Sequence, residues 1–335
     1  MRQKVVVYST KPYDRVFLSQ ANESRGHELI FLEDSLKPET AALAAEADVA
    51  CVFVHDHADA ASLETLAKGR TKLIALRCAG YNNLDLKAAT ALGLDVRRVP
   101  SYSPYAVAEF AIALIFTLNR KVHRAYNRVR EGNFALEGLL GFDIHGCTVG
   151  VIGTGKIGCL MAAPMKALGC QLLGYDVSEN PAFRAAGGVY TSLNELLEQS
   201  DIISLHCPLT PETHYLINRE SLAKMKDGVM IINTSRGALI DASEVITALK
   251  SGKVGYLGLD VYEQEEGVFY ENLSEEIIQD DVLQRLITFP NVIVTSHQAF
   301  FTDTALRNIA ETTMQNIEDH LKGTGAPNQL TPCHL

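Results

Sequence analysis

Thr148-Val149-Gly150-Val151-Ile152-Gly153-Thr154-Gly155-Lys156-Ile157-Gly158 is an apolar run that turns on three glycines, and Gln171-Leu172-Leu173-Gly174-Tyr175-Asp176 follows it. The first run reads as a strand, Cys159 to Leu168 as a helix, and Gln171 to Tyr175 as a second strand ending in an acid. A Gly-x-Gly-x-x-Gly turn set between strand and helix, with an acid closing the next strand, is the full dinucleotide-binding fingerprint. Gly153 permits the tight turn, Gly155 lets the backbone approach a pyrophosphate, and Gly158 lets helix and strand pack closely. The helix N-terminus offers unpaired N–H groups to the phosphates. Asp176 stands where an acid hydrogen-bonds ribose hydroxyls, and its charge would repel a 2′-phosphate. The expected cofactor is NAD rather than NADP.

Bulk properties set the frame around that turn. A chain of 335 residues has room for about two domains, each with its own core. With 47% hydrophobic and 21% charged residues it has the make-up of an ordinary globular protein. A formal charge of −10, with no basic run, argues against nucleic-acid binding. Met1-Arg2-Gln3-Lys4 runs directly into an apolar strand and lacks the apolar core of a signal peptide. Ala106 to Leu118, the longest apolar helix candidate, contains Glu109 and is too short for a bilayer. Seven dispersed cysteines without a Cys-x-x-Cys pair fit a reducing compartment better than a disulfide framework. The expectation is a cytoplasmic chain with no membrane partner. No metal is expected either: Cys207 and Cys333 each have a histidine neighbour, but nothing supplies further ligands.

Strands and helices alternate on both sides of the fingerprint. Before it, Lys4–Tyr8, Glu28–Phe31, Val49–Val54 and Lys72–Leu76 read as short buried strands. Arg15–Arg25, Ala41–Ala47 and Ser62–Lys68 read as helices between them. After it, Ile202–Leu205, Val229–Asn233, Tyr256–Asp260 and Val292–Val294 read as strands. This rhythm predicts an α/β chain with two doubly wound parallel-sheet, Rossmann-like units. Ser103 to Val129 reads as one long connecting helix, which implies an interdomain cleft where ligands tend to sit. A tail helix is expected over Thr302–Leu321, then irregular chain through Gly325, Pro327 and Pro332. The acidic stretch Glu263–Asp281 reads mostly as a solvated excursion.

Three further segments carry chemistry. Asn233-Thr234-Ser235-Arg236-Gly237 follows a strand, on the edge of an open parallel sheet where ligands bind. An arginine there can grip a carboxylate through two parallel hydrogen bonds. Asp260-Val261-Tyr262-Glu263-Gln264-Glu265 and Ser296-His297-Gln298-Ala299-Phe300 also follow strands. Hydride transfer to a 2-keto acid needs a proton delivered to the carbonyl oxygen, and histidine is the usual donor. A neighbouring carboxylate orients the imidazole and favours its protonated form. His206, His214 and His123 compete for that role. Arg236, Glu265 and His297 stand out because each follows a strand of the unit that holds the pyrophosphate turn.

Several motifs together resemble the D-isomer-specific 2-hydroxyacid dehydrogenases. They are Arg-Cys-Ala-Gly-Tyr-Asn-Asn (77–83), Val-Pro-Ser-Tyr-Ser-Pro (99–104), Gly-Thr-Gly-Lys-Ile-Gly (153–158), His-Cys-Pro-Leu-Thr (206–210), Asn-Thr-Ser-Arg-Gly-Ala-Leu-Ile-Asp (233–241) and His-Gln-Ala-Phe (297–300). The likeness runs from Lys11-Pro12-Tyr13-Asp14 to the tail helix. It implies that Arg236 binds the substrate carboxylate, His297 is the acid/base and Glu265 its partner. It also implies that backbone at Ala79 and Gly80 helps hold the carboxylate, with Tyr102 and Phe300 lining the substrate pocket. For NAD it points to Lys156 and Ile157 at the phosphates, Asp176 at the ribose, and Cys207 and Pro208 beside the adenosine. Thr213, Thr234, Ser235 and Asp260 complete that set, Asp260 near the carboxamide. The resemblance further implies a discontinuous substrate-binding domain, 1–102 with 300–335, around an NAD-binding domain, 103–299. Relatives are commonly dimers or tetramers, so a homo-oligomer is expected.

A small substrate is expected. Tyr102 and Phe300 would crowd a long side chain, and no cation beyond Arg236 stands in the matched motifs for a second acidic group. Family members acting on phosphoglycerate usually carry a further C-terminal domain, and this chain stops soon after its tail helix. Pyruvate and D-lactate are the leading pair, their handedness implied by the resemblance alone. The alternatives are a bulkier 2-keto acid, because one methylene discriminates by only about 1–3 kcal/mol, or a non-catalytic NAD-sensing protein like the family's corepressor relatives.

Overall fold

The computed structural model describes residues 2–323 and 328–331. The expected irregular tail through Gly325, Pro327 and Pro332, and the His-flanked Cys333, lie outside the described residues. The chain forms two compact units, one of residues 1–103 with 301–335, the other of residues 104–300.

The first unit holds five parallel strands: β1 (Lys4–Val7), β2 (Glu28–Phe31), β3 (Val49–Val52), β4 (Leu73–Leu76) and β5 (Asp95–Arg98). They lie in the order β2-β1-β3-β4-β5, a doubly wound arrangement. Successive residues of each strand face opposite sides, so Val6, Ala50, Val52, Ile74 and Leu76 build one core. Val5, Val7, Val49, Cys51, Leu73 and Ala75 build the other. Two helices from opposite chain ends close this second face, Pro12–Asn22 through Leu18 and Ala21, and Asp303–Leu321 through Ala310, Met314 and Ile317. The first of these starts earlier than expected. Pro12 suits the first helical turn, and the Asp14 carboxylate accepts the Lys11 N–H at 3.0 Å. Thr302 caps the second by accepting from the Ala305 N–H.

The second unit holds seven parallel strands: β6 (Thr148–Ile152), β7 (Gln171–Tyr175), β8 (Gly188–Tyr190), β9 (Ile202–Leu205), β10 (Val229–Asn233), β11 (Val254–Leu259) and β12 (Val292–Val294). The order β12-β11-β10-β9-β6-β7-β8 reverses direction between β6 and β9. That is the switch point at which open α/β sheets bind ligands. Alternation again divides the core. Val149, Val151, Ile202, Met230 and Ile232 pack under helices Pro104–Arg120 and Lys156–Ala167. Ile203, Leu205, Ile231, Leu257 and Leu259 pack against Leu196, Val245, Leu249 and Leu286 on the opposite face.

One expected element is divided. Ser103–Val129 forms two helices, Pro104–Arg120 and Val122–Arg130, broken at Lys121, whose φ is +50°. Asn119, 1% exposed, explains why the first helix ends there. Its side chain accepts the Phe142 N–H and donates to the Phe142 carbonyl, both at 2.8 Å, tying the helix end to incoming chain. No helix among the described residues is long and apolar enough to cross a membrane.

Candidate active site

Because all seven strands run parallel, every segment that leaves a strand C-terminus lies along one edge of the sheet. The fingerprint turn leaves β6 there. Gly153 has a φ of +93°, and a Cβ on it would stand 2.4 Å from the Cys207 nitrogen. A Cβ on Gly158 would stand 2.1 Å from the Gly153 carbonyl oxygen. Only hydrogen fits at either position. Gly155 differs, for nothing lies within 4 Å of the Cβ it lacks. It caps helix Lys156–Ala167 without a side-chain partner, so the first-turn N–H groups of Lys156 and Ile157 border open space. This is the cradle a pyrophosphate requires.

Asp176, at the end of β7, is held beside that turn. Its Oδ2 accepts the Thr154 N–H at 2.6 Å and the Thr154 hydroxyl at 3.3 Å, and its Oδ1 accepts the Ser178 N–H. From β9 come His206, Cys207 and Pro208. Cys207 is buried, which pushes its thiol up to about 11 and keeps it protonated. Thr213 organises the following turn, donating to the Pro208 carbonyl and accepting the Thr210 N–H. From β10 come Thr234 and Ser235. Ser235 donates to the Cys207 carbonyl at 2.6 Å, linking two strand ends. The Thr234 hydroxyl is buried and has no partner among the described residues. An orphaned hydroxyl at this edge fits a polar ligand.

Arg236 follows on the same loop. The Asn233 side chain donates to its backbone carbonyl at 2.7 Å, and its own Nη1 donates to the Ser235 carbonyl. That bond anchors the guanidinium, a fork that is planar by delocalisation.

The segments that leave β11 and β12 bring Glu265 and His297 together. His297 Nδ1 lies 2.9 Å from Glu265 Oε1. Both side chains are about four-fifths buried, at 20% and 18% exposure, so the pair is shielded but reachable. Glu265 Oε2 also accepts the Tyr262 N–H at 3.3 Å. With Nδ1 held by the carboxylate, Nε2 is the nitrogen left to exchange a proton. His297 has a φ of +53°, a left-handed conformation that costs a residue with a Cβ about 1–3 kcal/mol. Asp260, fully buried at the end of β11, offsets that cost. Its carbonyl accepts the His297 N–H, and its carboxylate accepts from Gln298 N, Ala299 N and the Thr295 hydroxyl at 2.6–2.9 Å. Burial raises the Asp260 carboxyl, and these bonds oppose that rise. Asp260 thus frames the His297 loop, a task that sequence reasoning did not assign to it.

The competing histidines are placed differently. His206 Nε2 bonds Ser204 Oγ at 2.9 Å, and burial holds it down at about 4, neutral at physiological pH. His123 sits on helix Val122–Arg130, far along the chain from any strand end. His214 packs at a tilt against Tyr215 in a turn.

The remaining expected residues belong to other loops. Phe300 is 7% exposed and directly follows Ala299. Ala79 and Gly80 leave β4 in the first unit, where the Ala79 carbonyl accepts from Arg98 Nη1 at 2.7 Å. The Gly80 carbonyl accepts from the Cys78 thiol. Tyr102 follows β5, its carbonyl held by the Asn308 side chain at 2.6 Å. Among the described residues no cluster of three or more His, Cys, Asp or Glu could hold a metal ion.

The expectation that Glu263–Asp281 is mostly a solvated excursion holds, with Phe269 the buried exception. Phe269 is 6% exposed in the core of the second unit, and Tyr262, at the same exposure, donates its O–H to Asp280 at 2.7 Å. These contacts pin both ends of the segment. Aromatics spaced among acids were the available signal.

A doubly wound sheet that opens on a dinucleotide turn and carries a carboxylate-paired histidine on the same edge has the equipment of a nicotinamide-dependent dehydrogenase. The chain belongs to the D-isomer-specific 2-hydroxyacid dehydrogenases, whose NAD-binding-domain model matches residues 112–299. NAD is the cofactor of that domain. The chain is 53% identical over 331 residues to D-lactate dehydrogenase kk1H of Curvularia clavata, covering 98% of this chain and 95% of that one. The apo-structure of D-lactate dehydrogenase from Escherichia coli aligns with a TM-score of 0.90 at 50% identity, covering 98% of this chain and all of that one. A structure of the pyruvate reductase of Chlamydomonas reinhardtii aligns at 0.93 with 47% identity, covering 98% of both chains.

Proposed function

We propose that this protein interconverts pyruvate and D-lactate with NAD(H). The observation that carries the reading is the 2.9 Å contact between His297 Nδ1 and Glu265 Oε1 on the edge that holds the dinucleotide turn. The relatives named for D-lactate and pyruvate support the substrate. The 153–158 turn, Asp176 and the loops of Cys207, Pro208, Thr213, Thr234, Ser235 and Asp260 would hold NADH, which when bound would supply the hydride for the carbonyl carbon. Arg236 grips the pyruvate carboxylate, while Phe300, on the His297 loop, limits the length of the substrate. As the carbonyl oxygen gains electron density, His297 Nε2 transfers its proton to it, giving the hydroxyl of D-lactate. Glu265 keeps the imidazole oriented and stabilises its positive charge. In the reverse direction the neutral imidazole takes the hydroxyl proton.

The test is NADH oxidation with pyruvate, 2-ketobutyrate, 2-ketoisocaproate and phenylpyruvate, with chiral analysis of the product. Fastest turnover of pyruvate to D-lactate is expected. Preference for a bulkier acid would keep the mechanism and change the substrate. Tight NADH binding without turnover of any of them would overturn the enzymatic reading.

Two variants probe individual roles. Glu265→Gln is expected to lower kcat for pyruvate reduction by about tenfold, because the His297 ring loses the carboxylate that orients it. An unchanged kcat would remove Glu265 from the pair. Asp176→Ser is expected to raise kcat/KM with NADPH relative to NADH by about tenfold, roughly 1.4 kcal/mol, because a charge facing the 2′-phosphate is gone. Equal use of both cofactors by the parent enzyme would contradict the ribose role.

We place the protein in the cytoplasm, in keeping with its described cysteines, all of them free. We also propose a homo-oligomer. Phe134, Leu136 and Leu140, each at least 74% exposed on one loop, supply apolar surface for a second copy.

A further inference from the structure

A further support of the His297 loop comes from the segment after β11. The Tyr270 hydroxyl donates to the His297 backbone carbonyl at 3.0 Å. The two rings lie stacked, with centroids 6.2 Å apart and planes 30° apart. Tyr270 itself has a φ of +67°, which turns the chain directly after buried Phe269. The Glu265 carbonyl accepts the N–H groups of both Val268 and Phe269, so Glu265 and Tyr270 ride on one compact turn.

We propose that Tyr270 is a positioning residue for the acid/base, acting through the backbone and ring of His297. The inference rests on His297 being the proton donor proposed above. The imidazole is oriented by Glu265, but its backbone stands in a left-handed conformation that persists only while its neighbours hold it. Asp260 fastens the N–H side of the residue, and Tyr270 fastens the carbonyl side. Without the tyrosine hydroxyl the peptide after His297 keeps the Gln298 N–H bond to Asp260 but loses the hold on its carbonyl, and the imidazole moves relative to the carbonyl oxygen it must reach. Small misplacements of a reacting group cost rate far more than they cost binding. The turn also couples the two members of the pair. A shift of Tyr270 displaces Glu265 along with it.

The experiment compares Tyr270→Phe with Tyr215→Phe in the full-length protein. Tyr215 also bonds the acidic segment, donating to Glu263 Oε2 at 2.9 Å, but it reaches neither His297 nor Glu265. Tyr270→Phe is expected to lower kcat for pyruvate reduction by about tenfold, the scale expected for partial misplacement of the donor. The pyruvate KM and the NADH dissociation constant should stay within about twofold, and Tyr215→Phe should match the parent. Parental kcat in Tyr270→Phe would overturn the proposal. So would an equal loss in Tyr215→Phe, which would mean that loosening the segment suffices. A His297→Gln variant measured alongside reports on the underlying reading by itself. If it keeps near-normal turnover, His297 is not the donor, whatever Tyr270 does.

Discussion

Replacing His297 with glutamine lowers kcat for pyruvate reduction by about 10²–10⁴-fold, the usual contribution of a positioned general acid. The NADH dissociation constant stays within about twofold of the parent, because the change removes neither the dinucleotide turn after β6 nor the bonds from Asp260 to the 298–299 backbone. Glutamine can still donate a hydrogen bond to Glu265, but an amide has no proton to release near neutral pH. The fold should tolerate the change. The bonds that Asp260 makes to the 297–299 backbone involve no imidazole atom. Retention of near-normal turnover, measured by NADH absorbance under saturating pyruvate, would show that another group delivers the proton. Desolvation pushes the His206 ring down to about 4, which disfavours a charged donor there.

The dinucleotide half was legible because each of its tasks needs a residue type that little else can supply. Hydrogen alone fits at Gly153 and Gly158, and the strands β6, β9 and β10 are almost wholly buried and mostly apolar. Strand β5 was missed because Asp95-Val96-Arg97-Arg98 looks solvated. In the fold, Arg97 is 3% exposed and its Nε donates to Asp95 at 2.8 Å, so the charges neutralise one another within the sheet. The break at Lys121 was hidden for a related reason. It depends on Asn119 pairing with Phe142, a contact across 23 positions that helical periodicity cannot register. In the site, Arg236, Glu265 and His297 could be selected because each follows a strand. The framing role of Asp260 and the reach of Tyr270 could not, since both act on backbone groups whose placement exists only after folding.

Arg236→Lys tests whether carboxylate binding and chemistry are coupled. Lysine keeps the charge but loses the planar fork, exchanging two parallel hydrogen bonds for a mobile point charge. Losing one charge-assisted hydrogen bond is worth about 1.5–3 kcal/mol, which predicts a fall in kcat/KM for pyruvate of about 10–150-fold. The loss should appear in both constants. KM rises because the carboxylate is held less tightly. The turnover number also falls, because the carboxylate is the substrate's fixed end, and loosening it lets the carbonyl drift from His297. Arg236 also borders the cofactor loop through its bond to the Ser235 carbonyl, so NADH binding must be measured in the same variant. An NADH dissociation constant near the parental value, together with a raised pyruvate KM, assigns the guanidinium to the substrate. A pyruvate KM at the parental value with weakened NADH binding would assign it to the cofactor, and carboxylate recognition would then have to come from elsewhere in the chain.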